Sequence, residues 1–468
     1  MTKSFIALIL AMVCGVARAD VTADKVDAIV KEAMAKRHIP GASVAVMKEG
    51  RPLLMKGYGF ANIELNVPAT SSTVYEIGSI TKQFTATVVM MLIDEGKIGL
   101  DDPIMKYLEG LPEAWSEVTV RHLLTHTSGI KSYTNLPSFL ANLRKDYKEE
   151  EIPRLSYAIP LEFKPGEKFA YNNTGYFLLG MILEKVSGKS YSDLLRDRIF
   201  SPLGMTSTRV NSLRDVIPNR ASGYEWTGAG YKNAEYISMT QPGGAGVLVS
   251  TVQDMAKWDA ALYGDRLLKK ASLRQMWTPF KLNNGTASSY GFGWGINNRP
   301  GHRGVAHGGG IPGFTTDIRR LLDDRLTVVV FTNSGSANPG SIAESIAEAY
   351  VPALKPPPAK PALAATDADP KLTARLRGLF AGVIRGDADR KAFSPDMQRL
   401  LFGPEGDGPR KDLRSMGSLK SFTFVSERAD GLRRSVLYRA VLGTTPVEVA
   451  CALDETGTVV GLGVRPAD

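Results

Sequence analysis

Ser79 and Lys82 stand three residues apart in the stretch Tyr75-Glu76-Ile77-Gly78-Ser79-Ile80-Thr81-Lys82-Gln83-Phe84, a spacing that puts two side chains on one face of a helix. The pair has a chemistry open to it. A serine hydroxyl is a weak nucleophile until a neighbouring base takes its proton, and a lysine is a base only as the neutral amine. Lowering an amine from about 10.4 to about 7 costs roughly 4 to 5 kcal/mol of charge stabilisation. Burial and the partial positive charge of a helix N-terminus can supply that penalty. Free N–H groups of a first turn would also face an oxyanion formed by attack of Ser79.

The element that must position the pair follows directly. Thr85 to Ile93 is apolar on nearly every side, which predicts a buried helix, stopped at Asp94-Glu95-Gly96-Lys97 by its glycine. A second S-x-x-K, Ser128-Gly129-Ile130-Lys131, follows Thr125-His126-Thr127. Its glycine makes it read as a turn with no fixed face.

Other chemically capable residues recur in patterns of unequal weight. Tyr171 and Asn173 form Y-x-N at the mouth of an apolar helix, Phe177 to Val186, where side chains are held firmly enough to build a site. Tyr133/Asn135 and Tyr231/Asn233 share the pattern without that setting. His307-Gly308-Gly309-Gly310 could offer backbone N–H groups to an oxyanion, as H-G-G-G does in lipases. Those enzymes need G-x-S-x-G, which this chain lacks. His122 and His126 fall at i and i+4 of a short helix within Val118 to Gly129. Without H-E-x-x-H or a cysteine cluster they read as packing or hydrogen-bonding histidines, and no metal is expected. Gly243-Gly244-Ala245-Gly246 reads as flexible and precedes a capped helix, Ser250 to Trp258. Tyr290-Gly291-Phe292-Gly293-Trp294-Gly295 would let backbone pass close to a neighbour, as in a cleft wall.

The chain has 468 residues, enough for two or three domains, with the 43% hydrophobic and 22% charged shares of a soluble globular protein. Residues 1–19 carry Lys3, the apolar run Phe5 to Val16, and Ala17-Arg18-Ala19 before Asp20. That is the form of a secretory signal, so a periplasmic or secreted protein cut after Ala19 is expected. No later run approaches the roughly 20 apolar residues of a membrane span. Without the signal, which holds Cys14, Cys451 is the one cysteine, so no intramolecular disulfide can form. The net charge then falls from +9 to +7, because Lys3 and Arg18 leave and no acid does. The basic residues are scattered, which argues against a nucleic-acid partner. Mild attraction to an anionic cell wall or membrane surface is the most that charge implies.

The remaining periodicities sketch two domains, one over 20–354 and one over 372–468. Val26, Ile29, Val30, Ala33 and Met34 make a first helix that ends at Pro40-Gly41. A hairpin follows, Ala42 to Met47 with Leu53 to Tyr58. A second hairpin joins Phe314–Leu321 to Leu326–Thr332 through Asp323-Asp324, and Ile342 to Tyr350 makes a closing helix. Residues 355–371 form a Pro/Ala-rich, stiff linker. Beyond it, helical Leu372 to Phe380 and apolar alternations around Phe422, Ser435 to Val441, Val447 to Leu453 and Val459 to Val464 read as a small α+β domain. It holds no catalytic constellation.

Three stretches in fixed order, Ser79/Lys82, Tyr171/Asn173 and His307-Gly308-Gly309, together resemble the serine β-lactamase and penicillin-recognising enzyme family. The likeness is greatest to class C enzymes and the related esterases and D-amino-acid peptidases. It runs from about Ile39 to Tyr350 and includes Gly99-Leu100-Asp101-Asp102-Pro103, Leu123 to Gly129, and Pro202-Leu203-Gly204-Met205.

The resemblance implies an α+β fold, an antiparallel sheet flanked by helices from both chain ends, with a helical region from roughly 80 to 240 inserted. It implies Ser79 as nucleophile and Lys82 as its base. Tyr171 would shuttle protons to the leaving group and later to water. Asn173 would hold Lys82 or a substrate amide, His307, Gly308 and Gly309 would line the site where relatives carry K-T-G, and the N–H groups of Ser79 and Gly310 would form the oxyanion hole. Neither metal nor organic cofactor is implied, and the partner is a small-molecule or peptide acyl substrate. His307 departs from the pattern. A lysine there would be permanently charged, whereas histidine, with a reference pKa near 6.5, is mostly neutral at pH 7. The expectation is therefore an exported serine hydrolase acting on esters or amides, D-amino-acid peptides included. A class C-like β-lactamase and a non-catalytic penicillin-recognising binding or sensor protein are the alternatives, with the C-terminal domain as a conceivable interaction module.

Overall fold

A computed structural model of the protein describes residues 23–355, 367, 369–403, 406–430 and 433–466. Residues 1–19, expected to be a secretory signal, and most of residues 355–371, expected to be a linker, lie outside these residues. The chain divides into two compact units, one ending at Lys355 and the other beginning at Pro356.

The first unit is built on a seven-stranded antiparallel sheet. Its strands are β1 (Gly41–Lys48), β2 (Arg51–Asn62), β3 (Val67–Pro68), β4 (Gly295–Ile296), β5 (Gly304–Ile311), β6 (Phe314–Leu321) and β7 (Leu326–Thr332), in spatial order β3-β2-β1-β7-β6-β5-β4. Strands from near the two ends of this unit thus meet in the middle: β1 pairs with β7 in the register Val44↔Val330 and Val46↔Val328. Seven of the eight residues of β1 are buried, as expected of a strand covered on both faces. Successive side chains alternate between those faces. Val44, Val46, Val328 and Val330 pack with Val26 and Val30 of the helix over 23–37 and with Ile342 and Ile346 of the helix Pro339–Tyr350. Ala45, Met47, Val329 and Phe331 face the other way, into the larger core with Phe84 and Trp258.

That larger core belongs to the mainly helical insertion between β3 and β4. Its axis is the helix Thr81–Asp94, in which every residue from Thr81 to Leu92 is buried. The all-round apolar pattern of 85–93 is therefore met by protein on every side. The helix Asn173–Ser187 packs beside it. Asn172 caps that helix, its side chain accepting from Gly175 N–H at 2.8 Å.

Two local expectations change. The helix around His122 spans only Val120–Leu124, and His126 lies beyond it at φ +57°. The two histidines therefore share no helical face: Thr127, Ser128 and Gly129 continue a turn in which helical spacing no longer applies. In the second unit, a four-stranded antiparallel sheet (Leu419–Asp430, Arg433–Leu442, Thr445–Leu453, Val459–Pro466) packs with the helix Pro370–Arg385 around Leu376, Phe380, Tyr438 and Val449. The helices Pro395–Phe402 and Asp407–Ser415 were not legible in its sequence, because charged residues interrupt their apolar spacing.

Candidate active site

Ser79 sits in a 3₁₀ turn, Gly78–Ile80, that leads into the helix Thr81–Asp94. The turn is pressed against strand β5. Gly78 adopts φ +49°, and a Cβ there would lie 2.9 Å from Gly310 N, so only glycine admits both the conformation and the approach. Gly309 is fixed for a similar reason: a Cβ would meet Ile77 O at 2.0 Å. The two-residue loop Pro312-Gly313 closes the β5–β6 hairpin at Ile311↔Phe314. Hydrogen-bonded and open pairs alternate from there, which turns the N–H of Gly310 away from its partner Thr315, towards the Ser79 turn.

Lys82 is fully buried. Its Nζ lies 3.0 Å from Ser79 Oγ, 2.8 Å from Asn173 Oδ1 and 2.8 Å from Ala245 O. No carboxylate is among these partners, and burial holds the amine well below the usual lysine range. A neutral amine has two N–H groups and one lone pair. Two carbonyl oxygens can only accept, so they take the two N–H groups, and the lone pair is left facing the Ser79 hydroxyl.

Asn173 is oriented by Thr134, whose Oγ1 accepts from its Nδ2 at 3.0 Å, and by Ser132 Oγ, which accepts from its backbone N–H at 3.0 Å. Tyr171 presents an exposed ring, 38% accessible, but an enclosed hydroxyl. Burial of that hydroxyl raises its pKa, opposed by a hydrogen bond with Ser79. Lys82 Nζ is 4.8 Å from the Tyr171 ring centroid and 5.4 Å from that of Tyr176.

His307 lies on β5, 6.2 Å between ring centroids from Tyr171. Both ring nitrogens are engaged. Nδ1 donates to Gly308 O at 2.7 Å, which leaves Nε2 to accept from the Tyr290 hydroxyl at 2.6 Å. Burial first, then the Lys82 amine, brings its pKa down to about 3. His307 is therefore a neutral ring throughout the physiological range.

The structure thus gathers Ser79, Lys82, Tyr171, Asn173, His307 and Gly310 into one place, with Gly308 and Gly309 on the adjoining strand edge. It adds residues that sequence reasoning left out of the site. Ala245 O comes from the glycine-rich stretch read as flexible. Tyr290 comes from the stretch read as a cleft wall, and only its partnership with His307 gives it a role. His126 packs behind the site, 4.3 Å from the Tyr171 ring and 4.6 Å from the Tyr290 ring. Its Nδ1 accepts from Asn172 N–H at 3.1 Å, so the proton is on Nε2, which has no hydrogen-bond partner among the described residues. Burial keeps that ring neutral too.

Two cavities meet at Gly310. One, of about 310 Å³, holds Ser79 and Asn173 and is walled by Phe139, Leu143, Ile237 and Ile311. The other, of about 550 Å³, starts at Tyr171 and His307 and runs along Gly308 to Gly310.

Comparison with known proteins places the chain in a family. The Beta-lactamase family model matches residues 26–351. Penicillin-binding protein 4* of Bacillus subtilis (strain 168) is 34% identical over 322 residues, covering 64% of this chain and 70% of that protein. The octameric penicillin-binding protein homologue from Pyrococcus abyssi superposes with a TM-score of 0.63 at 26% identity, over 95% of this chain and 96% of that one. D-amino acid amidase from Ochrobactrum anthropi SV3 gives a TM-score of 0.63 at 28% identity, over 71% of this chain and 99% of its own. The chain therefore belongs to the beta-lactamase family of serine hydrolases.

Proposed function

We propose that the protein is an exported hydrolase that cleaves ester or amide bonds through an acyl-enzyme on Ser79. The observation that carries this reading is the fully buried Lys82 amine, 3.0 Å from Ser79 Oγ and held by burial well below the usual lysine range. Lys82 takes the Ser79 proton as Oγ bonds to the substrate carbonyl carbon. The carbonyl oxygen gains the negative charge between the N–H groups of Ser79 and Gly310, and loss of one such donor typically costs about 10²- to 10³-fold in rate. Collapse breaks the bond to the leaving oxygen or nitrogen, which receives the proton from Lys82 by way of Tyr171. Water then enters along the same path and attacks the acyl carbon; its proton passes through Tyr171 and Lys82 to Ser79 Oγ as the bond to Oγ breaks and the acid leaves.

Asn173 holds Lys82 in place. His307, with both nitrogens engaged, acts through Tyr290 to fix the strand edge rather than by binding a substrate charge. The apolar walls of the smaller cavity suit an apolar acyl group. An amide substrate is supported by the likeness to D-amino acid amidase. The β-lactamase alternative is disfavoured by the neutrality of His307, which leaves no permanent cation at that position for the carboxylate of a β-lactam. The form of residues 1–19 supports export, and N-terminal sequencing of the mature protein should begin at Asp20.

The deciding experiment profiles wild type and Ser79→Ala against p-nitrophenyl esters, D-alanyl peptides and a chromogenic cephalosporin. Turnover of esters or D-amino-acid amides that vanishes in the variant is expected. Fast cephalosporin turnover without ester or amide cleavage would establish the β-lactamase instead. A wild-type protein that a fluorophosphonate probe fails to label at Ser79 would establish the binding protein.

A further inference from the structure

The larger cavity has an end that the mechanism above does not use. From Tyr171 and His307 it follows the side-chain-free edge Gly308-Gly309-Gly310 and finishes at Asp317 and at Asn338 to Gly340. Asp317 on β6 is paired with Gly308 in register, so its side chain shares a face with a residue that has nothing to cover it. A Cβ placed on Gly308 would sit 4.0 Å from Asp317 Oδ2.

Asp317 is only 6% exposed; its Oδ1 is buried without a hydrogen-bond partner among the described residues, and Oδ2 is the oxygen nearer Gly308 and Gly340. Capping the helix Pro339–Tyr350 does not account for it, because Asn338 does that, its side chain accepting from Ser341 N–H. Nor does a salt bridge of good geometry. Arg319 Nε approaches Asp317 Oδ1 only to 3.9 Å, and the Arg319 guanidinium is paired with Glu344. Arg299 is paired with the same Glu344 and lies 3.8 Å from Glu348. On the neighbouring strand, His307 is neutral. Two guanidiniums thus face three carboxylates, and the carboxylate left over is the one that lines the cavity. Burial pushes its pKa up to about 6.

We propose that Asp317 is the recognition carboxylate of a leaving-group subsite, and that preferred acyl donors carry a cationic amine on the leaving-group side of the scissile bond. This rests on the hydrolase reading. The leaving group must collect its proton from Tyr171, and Tyr171 stands at the head of this cavity, so the leaving group extends into it while the acyl group takes the apolar cavity. A cation at the far end completes the local charge balance. A carboxylate there is repelled.

The experiment compares a choline ester with the 3,3-dimethylbutyl ester of the same acid, its uncharged isostere. At about pH 7.5 wild type should favour the choline ester in kcat/KM by about tenfold or more, the size of one well-placed charge pair. The preference should fall towards one as pH drops through about 6, because Asp317 is ionised above that value and neutral below it. The uncharged ester corrects for any titration of the catalytic groups that both substrates share. Asp317→Asn, checked for folding by circular dichroism, should show a ratio near one at every pH. Wild type that turns over both esters equally, a ratio that stays flat from about pH 8 to about pH 5, or an undiminished preference in the variant overturns the proposal. If wild type neither cleaves any ester nor takes up a fluorophosphonate, the hydrolase reading itself has failed.

Discussion

The chain holds two serine–lysine pairs with one spacing, and the structure gives them opposite surroundings. Lys82 is buried at the mouth of a helix with two carbonyl oxygens and a hydroxyl for company. Lys131 has a side chain 27% exposed and pairs with Glu162 at 2.6 Å. Ser79 is held in a 3₁₀ turn against Gly310, whereas Ser128 precedes Gly129 at φ +75° and accepts from Ile130 N–H. The lesson is that spacing selects candidates but solvation makes the base. A lysine becomes a proton acceptor where water and carboxylates are both absent. The second pair is still not idle. Lys131 O accepts from Thr174 Oγ1 at 3.0 Å, and the side chains of Ser132 and Thr134, just after the pair, hold Asn173, the residue that orients Lys82.

The widest separation between the two pairs should appear on deleting the hydroxyls. Ser79→Ala should lower kcat/KM for a p-nitrophenyl ester by at least about 10⁴-fold, as loss of a covalent nucleophile does. Ser128→Ala should leave it within about twofold. Comparable losses in both would mean that the first pair has no privileged chemistry.

The surroundings can also be exchanged. Asn173→Asp puts a carboxylate where Oδ1 now lies 2.8 Å from Lys82 Nζ and so gives Lys82 the kind of partner Lys131 has. An opposite charge at that range favours the ammonium form, which raises the Lys82 pKa and removes the base at neutral pH. Activity at about pH 7 should drop by about 10²- to 10³-fold, the worth of a general base. The acid limb of the kcat/KM profile should move to higher pH. A variant with reduced rate but an unmoved limb would show that Asn173 matters for reasons other than the charge state of Lys82.

Much of this was readable in the residues, and what was not has a physical reason. The buried helix after Ser79 was legible because an all-round apolar run has few other fates. The two hairpins of the main sheet were legible from their alternation and turns. His126 was read as packing or hydrogen-bonding, which it is, but its placement on a helix with His122 failed because φ +57° at His126 leaves no trace in side-chain periodicity. Ala245 acts through its carbonyl, which every residue owns, so no residue type could mark it. Tyr290 is 17 positions from His307 and meets it only because the strands bring them together. Tyr290→Phe tests that meeting. It leaves His307 Nε2 a buried acceptor without a donor, a loss of about 1 to 3 kcal/mol that should lower stability and reduce kcat/KM by about tenfold. A variant with unchanged melting temperature and rate would make the contact incidental.

The smallest effect belongs to the exposed pair and bears most directly on the comparison. Glu162→Gln removes the carboxylate from Lys131, which brings the second S-x-x-K one step closer to the first. With side chains 27% and 37% exposed, the ion pair is worth about 1 kcal/mol or less, so the melting temperature should fall by no more than about 2 to 4 °C. In a Ser79→Ala background, the same change should give no fluorophosphonate labelling at Ser128. Lys131 keeps its water when it loses its partner, and a solvated amine remains charged whether or not an acid is nearby. Labelling of Ser128 would mean that removing a carboxylate is sufficient to make the base, and that burial, the property separating Lys82 from Lys131, is not the deciding one.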